Sequence, residues 1–221
     1  VVVIRLRSLG DTVLTTPAMA LLKRARPDLR IAMVVERPFD ALLKGNPDLW
    51  RVLPITGKVG GRGLFATIPQ IRKLQPELCL NLHGGATSAW LTALSGAPVR
   101  AGLGHFRFRF VFNVSIPRAQ RVLRRGFDDP VHTAEHHASA VFYLGAPESE
   151  IPRAVLRAEP RPRERPYAVV HVTASYFTKQ WATDRFGRIG AFQRQAHGLE
   201  SIMIAGPGEE AVLAELGDFT C

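Results

Sequence analysis

Asp11 is the side chain in this 221-residue sequence whose type and position suit it most directly to chemistry. It stands in Arg5-Leu-Arg7-Ser-Leu-Gly10-Asp11-Thr12, where an apolar run from Val1 ends and an amphipathic run begins. In an open α/β sheet, ligands gather at the carboxyl ends of strands, where loops and helix N-termini meet. A carboxylate in such a place is able to take a proton from an attacking hydroxyl. Gly10, just before it, permits a tight turn and close approach of a substrate to the backbone. Aspartate is also a preferred helix cap, and the residues alone leave both readings open. A helix N-terminus lowers a carboxylate pKa and so weakens it as a base. A displacement in which the hydroxyl loses its proton late tolerates a weak base, provided that base is well placed.

The elements that must position these residues follow from periodicity. Val1–Leu6, Arg30–Glu36, Arg51–Ile55, Glu77–Leu82 and Phe112–Ile116 are predicted strands, and the first four are apolar enough to be covered on both faces. Helical periodicity falls on Thr12–Ala25, Pro38–Lys44, Gly63–Leu74, Ala86–Leu94 and about His132–Leu144. Strands alternating with helices predict parallel pairing through right-handed crossovers, a Rossmann-like α/β domain over residues 1–150. Pro152, Pro160, Pro162 and Pro166 punctuate a charged, aperiodic stretch, so residues 151–166 read as a linker. The pattern then restarts with a strand at Tyr167–Val172, a helix from about Asp184 to His197, a strand at Ser201–Ala205 and a helix start after Gly206-Pro-Gly208. The roughly 55 residues of this second unit (167–221) are too few to bury an α/β core of this type, so either the domain is cut short or a partner completes it, and truncation is the simpler account.

Composition narrows the function classes. The chain is 46% hydrophobic, and its 29 Lys and Arg against 19 Asp and Glu give a net charge of +10. That excess attracts an anionic partner, whether a membrane surface, a phosphorylated substrate or nucleic acid, although a solubility role accounts for it as well. Arg62 lies in the glycine-rich Gly60-Gly-Arg-Gly63, and Arg107 and Arg109 alternate with Phe106, Phe108 and Phe110, which also fits an edge strand with one solvated face. Two cysteines, Cys79 and Cys221, form neither a disulfide framework nor a metal-ligand spacing. The apolar start is too short for a signal peptide, and no run suits a membrane span, so a cytoplasmic location is expected. The first strand is followed by Ser-Leu-Gly-Asp and not by a Gly-x-Gly-x-x-Gly loop, which argues against a dinucleotide-dependent oxidoreductase.

Val3–Ala18 resembles the N-terminal signature of the ADP-heptose–lipopolysaccharide heptosyltransferases, glycosyltransferase family 9. Further blocks resemble that family in the same order: Leu80-Asn-Leu-His-Gly84, Arg100-Ala-Gly102, His132-Thr-Ala-Glu135, Val170-His-Val-Thr173, Lys179-Gln-Trp181 and Ile204-Ala-Gly-Pro-Gly-Glu209. The resemblance implies a GT-B fold, two Rossmann-like domains of which the second is incomplete here. It implies an inverting transfer of heptose from ADP-heptose to a lipid-linked Kdo or heptose acceptor, with no metal and no cofactor. Asp11 would be the general base. Lys179 would offset charge on the departing diphosphate, with Thr173 and Ser175 as hydrogen-bond donors to it. Gly10, Arg62 and Arg107 would meet the phosphorylated, carboxylated acceptor. Without the resemblance, Lys179 reads as a solvated loop lysine, Trp181 as packing at a helix start and His171 as a strand-end histidine held by backbone. Ala182 and Asp184 depart from the family's proline and glutamate. The family's Gly-Asp-Ser/Thr-Gly-x-x-His donor block has no counterpart before Cys221, so a chain inactive by itself is expected. The implied setting is a monomer, peripheral at the cytoplasmic face of the inner membrane and without nucleic acid. The rival reading is a truncated, inactive Rossmann-like module that binds an anionic glycolipid or another anionic partner.

Overall fold

The computed structural model describes residues 1–55, 62–159, 163–174 and 176–216, with the side chains of Arg62 and Leu64 left outside the description. It divides into two compact units, Val1–Ala158 and Glu159–Cys221.

The first unit is built on six parallel strands: β1 (Val2–Ile4), β2 (Ala32–Glu36), β3 (Arg51–Ile55), β4 (Leu78–Asn81), β5 (Val99–Leu103) and β6 (Val114–Ile116). Their order in the sheet is β3-β2-β1-β4-β5-β6. The chain runs outward from β1 to one edge, then returns and fills the other side from β4, so the topological switch lies between β1 and β4. Alternation along β1 divides the core. Val3 faces one side with Met19, Leu22, Val141 and Phe142, from α2 (Thr16–Ala25) and α6 (Thr133–Tyr143). Val2 and Ile4 face the other with Ile68, Ile71 and Leu91, from α3 (Arg62–Lys73) and α4 (Ala86–Ala93). Burial on both faces is why β1 is apolar at every position, and β2 up to Glu36.

Three expectations need correction. The helix expected over Thr12–Ala25 begins earlier and is broken into α1 (Leu9–Val13) and α2. Pro17 has no N–H to give Val13, and the Thr16 hydroxyl bonds the Val13 carbonyl instead, at 2.8 Å. Thr12 and Thr15 likewise turn their hydroxyls onto the carbonyls of Ser8 and Asp11, both at 2.7 Å. Secondly, Phe106–Phe110 is no edge strand; Arg109–Val111 is a single 3₁₀ turn. Thirdly, the expected helix from Pro38 is a 3₁₀ stretch, Phe39–Leu43. The first unit also carries a short α5 (Ala119–Val122) after β6.

The second unit pairs β7 (Tyr167–His171) with β8 (Glu200–Ile204) in parallel, joined through α7 (Thr183–His197) and followed by α8 (Ala211–Ala214). Val172, Met203 and Leu216 form its small core, against Phe186, Val212 and Leu213. Gly198, in the left-handed region at φ 64°, ends α7.

Candidate active site

Because β1, β2, β4, β5 and β6 are parallel, the residues that follow each strand lie on one rim of the first sheet. Asp11 is there, in the first turn of α1, with Ser8 as the residue before the helix. Its Oδ2 accepts from the Ser8 hydroxyl at 3.2 Å and the Ser8 N–H at 3.5 Å, and forms an ion pair with Arg5. Arg5 is also tied to β4, donating to the Leu82 carbonyl at 2.6 Å. Asp11 therefore reaches back to close the helix start and keeps its side chain 32% exposed at the rim. Partial burial pushes its carboxyl up, but the Arg5 charge and the hydrogen bonds from Arg5 and Ser8 together hold it below the ordinary value.

Around this pair stand groups to which the sequence reading gave no role. His83 follows β4; Asn81 shapes its turn by accepting from the N–H groups of His83 and Gly84 at 3.0 and 3.1 Å. Burial, reinforced by the charges of Arg5 and Arg7, pushes the His83 imidazole down to about 4, so the ring is neutral at physiological pH. Glu36 ends β2, is only 9% exposed and lies 3.5 Å from Arg7. Burial raises its carboxyl despite Arg7. Among the described residues, five buried polar side-chain atoms lack a hydrogen-bond partner, and three of them are Arg5 Nε, Glu36 Oε1 and His83 Nδ1. Unpaired buried polar atoms are costly and rare, so three on one rim mark a place organised around something other than stability.

The rim is braced from behind by α6. His137 is 3% exposed and its Nδ1 lies 3.3 Å from the Leu14 carbonyl and 3.2 Å from Thr15 Oγ1. The Thr15 hydroxyl hydrogen is already given to the Asp11 carbonyl, so His137 Nδ1 must carry the proton and donate. A chain from α6 through Thr15 thus ends on the Asp11 backbone.

Gly10 is helical, and a Cβ there would meet nothing within 4 Å. No tight turn depends on it; its contribution is open space beside Asp11. Arg107 is exposed and stacks on Phe108 at 5.5 Å, away from the Arg5–Asp11 pair in sequence but on the same rim. The backbone of Arg62 opens α3, and its side chain lies outside the described residues.

In the second unit, Thr173 lines a cavity of ≈ 290 Å³ with Gln180, Trp181, Thr183, Gly208 and Glu209, beyond the carboxyl ends of β7 and β8. The Gly206 N–H meets Glu209 Oε2 at 3.1 Å and Thr173 Oγ1 at 3.4 Å. Lys179 ends a 3₁₀ turn nearby, and its ammonium rests 5.5 Å from the centre of the Tyr176 ring. Ser175 lies outside the described residues. Trp181 packs edge-on to Phe186 at the start of α7, and the His171 ring is 2.9 Å from the Thr173 carbonyl. Among the described residues there is no cluster of His, Cys, Asp and Glu suited to a metal ion. None of their helices is long and apolar enough to cross a membrane.

Such a fold, with its rim at a β1/β4 switch, is that of the GT-B glycosyltransferases. The chain superimposes with a TM-score of 0.80 on a glycosyl transferase family 9 structure from Veillonella parvula, at 19% identity, covering 99% of this chain and 66% of that one. With the E. coli ADP-heptose lps heptosyltransferase II the TM-score is 0.78 at 16% identity, covering 97% of this chain and 67% of that one. In sequence it is 27% identical over 161 residues to lipopolysaccharide heptosyltransferase 1 of Pseudomonas aeruginosa, across 69% of this chain and 43% of the relative. It is 25% identical over 223 aligned positions to lipopolysaccharide heptosyltransferase 3 of E. coli K12, across 91% of this chain and 61% of the relative. The chain thus spans about half the length of the curated relatives it matches. No family model matches it. The chain is thus similar in sequence to curated lipopolysaccharide heptosyltransferases and shares the fold of a glycosyl transferase family 9 structure.

Proposed function

We propose that this protein transfers heptose from ADP-heptose to the lipopolysaccharide inner core, onto a lipid A-linked Kdo or heptose acceptor. One observation carries the reading: Asp11 is held at the switch of the first sheet by Arg5, among three unpaired buried polar atoms. Asp11 accepts the proton of the acceptor hydroxyl as that oxygen bonds to the anomeric carbon and the bond to ADP breaks, inverting the centre. Its lowered pKa makes it ionised throughout the physiological range, and its weakness as a base suits a proton lost late in the displacement. Arg5 fixes the direction of the carboxylate, the contribution that positioning makes to such a step.

Gly10 and the rim arginines, Arg62 and Arg107 among them, serve the phosphorylated and carboxylated acceptor. Thr173, Ser175 and Lys179 of the second unit serve the donor diphosphate, and Lys179 offsets the charge on the leaving ADP without a metal or cofactor. Relatives support this assignment of substrates: one solved structure, the E. coli heptosyltransferase WaaC, was determined with ADP-2-deoxy-2-fluoro heptose. The same reading places a monomeric protein at the cytoplasmic face of the inner membrane, held by its basic surface.

The test is Asp11→Asn in the protein purified as its host makes it. Asparagine preserves size and still closes the helix start, but it takes no proton at neutral pH. Turnover should fall by roughly two to four orders of magnitude, with stability changed by about 1 kcal/mol. An Asp11→Asn variant that turns over at the parental rate would sink the assignment. Undiminished activity in excess chelator is the companion expectation for the absence of a metal.

A further inference from the structure

The loops that leave β5 and β6 carry a surface of which the proposed transfer chemistry uses only Arg107, at its acceptor-facing edge. Residues 104–127 contain six arginines and no aspartate, glutamate or lysine. Phe110 is 80% exposed and Phe127 70% exposed, an arrangement that costs solvation unless something apolar covers the rings. The two loops start side by side: β5 pairs with β6, and the Gly104 N–H donates to the Ile116 carbonyl at 2.7 Å. Arg118 of the second loop is near enough to His105 of the first for its charge to help lower that ring, after burial. Within each loop, arginine and phenylalanine are interleaved. Arg107 stacks on Phe108 at 5.5 Å, Phe108 packs edge-on to Phe110 at 6.3 Å, and Arg118 lies over Phe127 at 5.1 Å. Arg124 and Arg125 have carboxylate partners, Glu148 at 3.7 Å and Glu135 at 2.5 Å. Arg107, Arg109, Arg118 and Arg121 are exposed and stand in none of the observed ion pairs among the described residues.

We propose that this lip docks the protein on an anionic lipid bilayer, with Phe110 and Phe127 entering the headgroup region and Arg107, Arg109, Arg118 and Arg121 pairing with lipid phosphates. The inference rests on the membrane-surface part of the proposed function and names the residues that would perform it. Charge complementarity selects the occupant. Exposed aromatic rings with guanidinium groups beside Phe110 and Arg118 over Phe127, opposed in part by the exposed Asp128 and Asp129, suit the boundary between acyl chain and phosphate. A nucleic acid would use the arginines but would leave Phe110 and Phe127 without an apolar environment. Position adds a second argument. A Cβ on Gly84 would come within 2.7 Å of the Phe106 ring, so the lip begins directly against the turn that carries His83. A bilayer under the lip would therefore present a lipid-anchored substrate to the same rim that holds Asp11.

The experiment is co-sedimentation of the intact protein with vesicles containing no saccharide lipid. One set is phosphatidylglycerol and phosphatidylcholine in equal parts; the other is phosphatidylcholine alone. Wild type should partition onto the anionic vesicles and hardly onto the neutral ones, and added salt should weaken the binding. Phe110→Ser and Phe127→Ser should each reduce the partition coefficient about tenfold. Arg107→Gln and Arg109→Gln should each reduce it about fivefold at low salt. Trp50 supplies the control: it too is exposed and flanked by stacked arginines, Arg30 at 5.1 Å and Arg51 at 4.8 Å, but at the opposite rim. Trp50→Ser should leave partition unchanged. Equal binding to both vesicle types, partition insensitive to the two phenylalanines, or a loss caused by Trp50→Ser instead, would each overturn the proposal. Vesicles without saccharide keep this result separate from the Asp11→Asn assay, so either reading can fail while the other stands.

Discussion

Arg5 and Asp11 leave the carboxyl end of the same strand six residues apart and close on each other as an ion pair, while Arg5 also binds the Leu82 carbonyl of the neighbouring β4 segment. The carboxylate is thereby referenced to two strands across the topological switch, and not only to its own helix.

Arg5→Lys tests that arrangement. Lysine keeps the charge but not the planar fork that reaches Asp11 and Leu82 together. Turnover should drop roughly tenfold or more, as expected when a base loses its direction by a fraction of an ångström. Arg5→Gln should in addition raise the acid limb of the kcat/KM profile towards the ordinary aspartate range, because the Arg5 charge and hydrogen bond are the two largest of the influences that together offset burial at Asp11. An acid limb that does not move would show that Arg5 does not set the charge state of Asp11.

His137 predicts a pH dependence of stability. Burial lowers its ring to about 4, and His83 is lowered to about 4 as well. A lowered histidine binds more protons unfolded than folded between that value and the ordinary 6.5, so stability should fall as pH drops through this window. His137→Asn offers an amide donor in place of Nδ1–H and has no titration, so its melting temperature should be flatter with pH. His137→Leu removes the donor and should destabilise by about 1–3 kcal/mol. A wild-type melting temperature that is constant from pH 6.5 to 4 would contradict the neutral, buried assignment.

Much of the fold was legible because most of its strands are covered on both faces, and apolar runs such as Val1–Ile4 admit few other readings. β5 was missed for a reason visible in its residues. Arg100 interrupts the run and spends its guanidinium on the carbonyls of Val111 and Ala97. Gly102 offers no side chain at all, because a Cβ there would meet the Phe112 ring at 2.3 Å. The break between α1 and α2 was equally hidden, since it depends on threonine hydroxyls competing for carbonyls and not on apolar spacing. At the site, Asp11 was legible from its place after a strand. Arg5, Glu36, His83 and His137 were not, because each gains its role from a partner far away in sequence. The signal available was positional: Glu36 ends a strand, and His83 sits two residues after one.

Glu36→Gln separates function from stability at the rim. Burial raises the Glu36 carboxyl, with Arg7 opposing, so the folded state holds its proton to higher pH than the unfolded chain does. Stability is therefore lost as pH rises above the ordinary carboxylate value of 4.5. The Gln variant escapes that loss, and its advantage in melting temperature over wild type should grow from pH 4 to pH 7. If Glu36 was kept for function, the stabilised variant should also turn over more slowly, the exchange common at sites that hold strained or unpaired groups. A variant that is both more stable and fully active would remove Glu36 from the site.

Lys179 is the donor-side counterpart and gives the contrast with Asp11. Its ammonium lies over Tyr176, and among the described residues no carboxylate pairs with it, so a diphosphate would meet a cation not already neutralised there. The neighbouring Gly206 and Gly208 N–H groups are already taken by Glu209 and Glu210, which makes Lys179 the more important attraction for an anion there. Removing a hydrogen bond to a charged group costs about 1.5–3 kcal/mol, so Lys179→Ala should weaken ADP binding roughly 10- to 100-fold by calorimetry. Turnover should fall further than affinity alone explains, because the negative charge on the diphosphate grows as the glycosidic bond breaks. Lys179→Arg should restore part of both effects, since the charge is kept while the reach and geometry change. Acceptor affinity should not move, because the acceptor contacts proposed here belong to the first unit. Should Lys179→Ala leave ADP binding intact, or weaken the acceptor instead, the lysine is a solvated loop residue and the donor site lies elsewhere.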